Sequence, residues 1–115
     1  MTPSQKNKAG YALVELYELL YTDTYKKAPN VNRFKEHYNM MVVMDQFGFD
    51  GAKELLEYYF KTPRAGHPIN EFMNNYHILW ENKNRAAREA ARRAKIRQET
   101  KERVEDVQQQ RTEGN

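Results

Sequence analysis

Apolar residues recur at helical spacing through the first eighty positions. Leu13, Leu16, Tyr17 and Leu20 fall at i, i+3, i+4 and i+7, one face of a helix. Gly10 can open that helix and Thr22-Asp23 can close it. Residues 1–9 are mostly polar and contain Pro3, so they read as a flexible N-terminus. Lys26-Lys27-Ala28-Pro29-Asn30 reads as a loop, because Pro29 and Asn30 favour turns. Asn32 then offers a side-chain acceptor to free backbone N–H groups and predicts the next helix start. Phe34, Tyr38, Met41 and Val42 give that helix its stripe. Met40, Val43 and Met44 widen the apolar arc, which predicts burial on more than one side.

Gly48 fits a helix stop, where glycine enters the left-handed region without steric cost. Asp50 follows as an N-cap. Ala52, Leu55, Leu56, Tyr59 and Phe60 then make the cleanest helical face in the chain, and Pro63 ends it. Arg64-Ala65-Gly66-His67 reads as a loop. Pro68 suits the first turn of a further helix, where its missing N–H is no loss. Ile69, Phe72, Met73, Tyr76, Leu79 and Trp80 are the last full apolar stripe. No alternating strand pattern appears. The expected fold is all-α, a small bundle of about four helices over residues 10–80. Leu16, Phe34, Met41, Leu55, Phe60, Phe72 and Leu79 are expected at its centre.

Beyond Trp80 the pattern changes. Residues 81–113 contain neither Pro nor Gly and are rich in Ala, Arg, Glu, Lys and Gln, all strong helix formers. Glu89–Arg93 and Glu99–Arg103 are i,i+4 pairs in the favourable order. Residues 81–115 therefore read as a long C-terminal arm, basic and then acidic, helical or disordered when alone. Ile96, Thr100, Val104 and Val107 make only a thin stripe, and three apolar positions do not sustain coiled-coil heptads.

Charge sharpens this division. The 115-residue chain carries 19 Lys and Arg against 16 Asp and Glu, a formal +3. The first eighty residues balance to zero. Residues 83–97 hold Lys83, Arg85, Arg88, Arg92, Arg93, Lys95 and Arg97 against Glu89 alone, a local +6, and residues 98–115 are net acidic. Every Phe, Tyr and Trp lies at or before Trp80.

Several chemistries find no support. There is no cysteine, so disulfides, thiolate metal sites and a thiol nucleophile are excluded. The only serine, Ser4, lies in the polar N-terminus and is ill placed for a Ser–His–Asp triad. His37, His67 and His77 fall on separate segments, where they read as polar side chains at helix surfaces or ends rather than metal ligands. Glu54 and Glu57 read as solvated. No apolar run reaches the ~20 residues of a membrane span, and no secretory signal precedes residue 10. The expectation is a non-enzymatic cytoplasmic protein with no cofactor and no membrane partner.

The basic segment is the strongest functional signal. Arg85, Arg88, Arg92 and Lys95 follow i, i+3, i+7 and i+10, one helix face, with Arg93 and Arg97 on a neighbouring face. Ala86, Ala87, Ala90, Ala91 and Ala94 keep the helix slim. Such a helix suits phosphate contacts, which neutralise charge and release counterions without specifying sequence. An acidic protein surface, or solvent alone, fits the same run. The segment around Gly48 has the outline of a helix-turn-helix, but Glu54 and Glu57 would oppose phosphates, and an ordinary helical hairpin turn accounts for it better. Tyr58 cannot share the face of Tyr59 and Phe60, and Tyr21 and Tyr25 fall partly off the first stripe. These three are candidate partner-binding residues, with packing at helix ends as the alternative.

The stretch Leu55 to Trp80 joins an aromatic-rich helix, a loop with Pro63, His67 and Pro68, and the run Ile69…Phe72…Tyr76…Leu79-Trp80, followed by a charged extension. It resembles the C-terminal module of DnaD-like replication proteins and phage replisome organisers. The remainder is similar to small phage-encoded helical accessory proteins. The resemblance implies a helical fold and a role beside helicase loading on DNA. Together these readings predict an accessory protein of replication or transcription. Its arm would hold the backbone of DNA or RNA, and its body would dock on a protein partner or a second copy of itself. The alternative is a protein-binding adaptor or inhibitor of a host machine such as RNA polymerase.

Overall fold

The computed structural model describes the backbone of residues 1–113 and the side chains of residues 1–108. The last two positions of the expected arm, and the side chains from residue 109, lie outside the described residues. Three helices appear among them, α1 (Pro3–Tyr25), α2 (Arg33–Lys61) and α3 (Ile69–Glu113), with no strand. The chain divides into two compact units, Met1–Glu81 and the residues from Asn82 onward.

α1 starts at Pro3, seven residues before the start expected at Gly10. The cause is a capping box. Thr2 accepts from the Gln5 N–H at 3.2 Å, and the Gln5 side chain accepts from the Thr2 N–H at 3.0 Å. Pro3 follows the cap in the first turn, where proline is pre-shaped for a helix. Lys26 ends α1 in the left-handed conformation, donating to the Thr22 carbonyl at 2.8 Å.

Gly10 is buried inside α1 rather than at its start. A Cβ there would lie 2.7 Å from the His37 carbonyl oxygen and 2.9 Å from Met41 Cγ. Its missing side chain is what lets α1 and α2 approach.

Asn32 caps α2 as expected, accepting from the Lys35 N–H at 3.2 Å. At Gly48, where a helix stop is expected, α2 is broken by a kink. Gly48 has φ 76° and ψ 169°, non-helical values open to glycine, and the helix resumes beyond it. Three helices thus stand where about four are expected, the second made of two helical segments that meet at Gly48, and the outline of a hairpin turn there is that break.

The core is built from Leu13, Val14 and Tyr17 of α1; Met40, Val43, Met44, Ala52, Leu55, Leu56 and Tyr59 of α2; and Phe72 and Leu79 of α3. Leu55, Phe72 and Leu79 are buried as expected, while Leu16, Met41 and Phe60 are only partly buried. Phe34 was expected at the centre and is 65% exposed. The first half of α2 buries Glu36, His37, Met40, Val43 and Met44. Relative to the expected stripe of Phe34, Tyr38, Met41 and Val42, the centre of this face is turned by roughly 145°. That rotation leaves Phe34, Tyr38 and Val42 on the exposed side.

Pro68 stands just before α3, its carbonyl accepting from the Phe72 N–H at 3.3 Å. No described helix is long and apolar enough to cross a membrane.

Candidate nucleic-acid interface

The basic segment lies within α3, as its composition predicts. Arg85, Arg88, Arg92, Arg93, Lys95 and Arg97 are exposed, and Lys83 is half-buried. At 100° per residue, Arg85, Arg88, Arg92 and Lys95 occupy one face, and they span about 15 Å along the axis at 1.5 Å per residue. Alanines occupy much of the opposite face. The arrangement is a row of cations on a slim rod. It can hold a line of phosphates or carboxylates.

Tyr21 and Tyr25 occupy adjacent turns of α1, with ring centroids 4.7 Å apart, and Tyr21 lies 6.1 Å from Tyr17. Both are half-buried, and Tyr58 on α2 is half-buried against the core. Tyr25 is engaged within the body, as its hydroxyl meets His67 Nδ1 at 2.5 Å.

His67 is the residue whose role the sequence does not reveal. It was expected in a loop at the surface and is 5% exposed, with φ 40°. His67 Nε2 lies 2.8 Å from the Thr62 carbonyl oxygen, which can only accept. That nitrogen therefore donates, and in the neutral ring Nδ1 is the acceptor of the Tyr25 hydroxyl. The Tyr17 hydroxyl donates to the His67 carbonyl at 2.7 Å. The ring stacks on Phe60 at 4.8 Å and meets Tyr59 edge-on at 5.1 Å. One side chain thus pins the loop between α2 and α3 to α1.

Burial pushes the Tyr17 phenol up to about 12, with the neighbouring Tyr21 and Tyr25 adding to it. Burial also raises Tyr59, whose hydroxyl donates to the Pro68 carbonyl at 2.8 Å. A cleft of about 300 Å³ opens beside this cluster, lined by Tyr17, Tyr21, Val31, Gly66, Pro68 and Asn70 among others, with no ionised side chain.

His37 is also buried, against the expectation of a surface position. It stacks flat on Tyr11 at 4.0 Å, and its Nδ1–H donates to the Phe34 carbonyl. His77 is exposed as expected. Among the described residues no cluster of three or more His, Asp or Glu side chains is close enough to hold a metal ion. Comparison with protein-family models, with curated proteins and with solved structures gives no match.

Proposed function

We propose that this chain is a non-enzymatic, cytoplasmic accessory protein of nucleic-acid transactions, in replication or transcription. The basic face of α3 binds the phosphate backbone of DNA or RNA, and the helical body engages a protein partner. The observation that carries the reading is the exposed row Arg85, Arg88, Arg92 and Lys95 on one helix face. A row of Arg and Lys suits contacts to phosphate oxygens, which position a chain on nucleic acid and supply affinity rather than sequence choice. The resemblance of Leu55–Trp80 to DnaD-like modules points to the same setting.

The test is binding of the full chain to duplex DNA and to RNA over a range of salt. Replacing Arg85, Arg88, Arg92 and Lys95 together with Ala weakens binding uniformly across sequences. It also flattens the log–log salt slope by about 3 to 4, since each neutralised phosphate contributes about 0.9. Binding that is absent, or that is unchanged in the quadruple variant, sinks the reading.

The second reading, a protein-binding adaptor or inhibitor, is favoured by the exposed row Phe34, Tyr38 and Val42 on α2. A pull-down from nuclease-treated extract separates the two. A partner recovered only in the presence of nucleic acid argues against the adaptor.

A further inference from the structure

The basic face of α3 has an acidic counterpart on the same helix. Arg88 and Asp106 are eighteen residues apart, about five turns, so they share one azimuth. Arg92 and Lys95 lie within about 40° of that azimuth, and so do Glu99 and Glu102. All six side chains are exposed. One continuous face is thus basic in its first half and acidic in its second. A continuous helix cannot fold its own second half onto its first, so neither half of this face is matched from within the helix.

We infer that the arm pairs antiparallel with the arm of a second copy of this chain, about a two-fold axis at residue 97. In that register Arg88 lies level with Asp106 of the second copy, Arg92 with Glu102, and Lys95 with Glu99. The two-fold repeats each pair. A parallel, in-register pairing would set Arg88 against Arg88 and is repelled. The like-charged levels of the antiparallel register, Arg93 with Lys101 and Arg97 with itself, lie on the far side of the helix. Glu89 and Glu105 lie to its flanks. Ile96 and Val107 border the charged face and are half-exposed, so pairing also covers apolar surface.

The inference does not rest on nucleic-acid binding. The two do compete for Arg88, Arg92 and Lys95, so a second copy and a phosphate backbone exclude one another on this face.

The test is sedimentation equilibrium of the nuclease-treated full chain. The wild type dimerises at low salt, and high salt weakens the dimer about tenfold or more, because exposed pairs are screened. Two triple variants reverse one half each: E99K/E102K/D106K and R88E/R92E/K95E. Each alone sediments as a monomer, and an equimolar mixture restores the dimer. Circular dichroism of each variant confirms that the helices persist. A monomeric wild type at low salt, a dimer that survives in either variant, or a mixture that stays monomeric overturns the proposal.

Discussion

Tyr25 and His67, forty-two residues apart, are joined by a 2.5 Å hydrogen bond that ties the end of α1 to the loop before α3. The other ring nitrogen of His67 donates to Thr62, and its carbonyl accepts from Tyr17. Replacing His67 with Ala strips the Tyr25 hydroxyl and the Thr62 carbonyl of their partner and removes a ring packed on Phe60. The expected cost is about 2–4 kcal/mol. Urea unfolding of H67A against wild type measures it, and a change within about 0.5 kcal/mol removes the hub role.

Tyr17 gives a pH dependence of definite sign. Its folded phenol is raised to about 12 from the ordinary 10. Between those values the native state binds more protons than the unfolded chain, so stability falls as pH rises. The contribution is full below pH 10 and is lost as the pH passes through 12. Phenolate absorbance should show Tyr17 ionising only with alkaline unfolding. In Tyr17→Phe the alkaline fall of stability is shallower. At neutral pH that variant loses about 1–3 kcal/mol, because the His67 carbonyl is left without a donor.

Gly10 is the point of closest approach between α1 and α2. Gly10→Ala gains roughly 1 kcal/mol of helix propensity. Its new methyl would stand 2.7 Å from the backbone oxygen of His37, which cannot swing aside. The net effect is destabilising by about 1–3 kcal/mol. Thermal unfolding checks the sign, and a stabilised G10A variant contradicts the close approach.

Much of the helical plan is readable in the sequence, because caps and breakers act locally. Asn32 and Pro63 mark the start of α2 and the chain just past its end. The basic face of α3 is equally local, a matter of spacing on one strongly helix-forming segment. What stays hidden is non-local. The rotation of the first half of α2 depends on Gly10 meeting the His37 backbone. The burial of His67 depends on Tyr17, Tyr25, Tyr59 and Phe60, which lie on two other helices. The Thr2 cap was legible in principle, since Thr2-Pro3-Ser4-Gln5 spells a capping box with proline in its first turn. Pro3 and the polar residues after it mask that signal, because the same composition suits a loose end.

Phe34 provides the sharpest test of that rotated face. A residue at the centre of the bundle would lose about 3–5 kcal/mol on truncation to Ala. At 65% exposure, Phe34 has little burial to lose. Its ring lies 5.4 Å from Tyr38, edge-on, and 5.6 Å from His37, so truncation gives up only these partly solvated contacts. Phe34→Ala is expected to change stability by less than about 1 kcal/mol. Met40→Ala, six residues further along α2 and fully buried, is expected to cost about 2–5 kcal/mol. Denaturant unfolding of the two variants side by side decides the matter: a larger loss in F34A than in M40A would put the core of α2 back on the face that the apolar stripe of the sequence suggests.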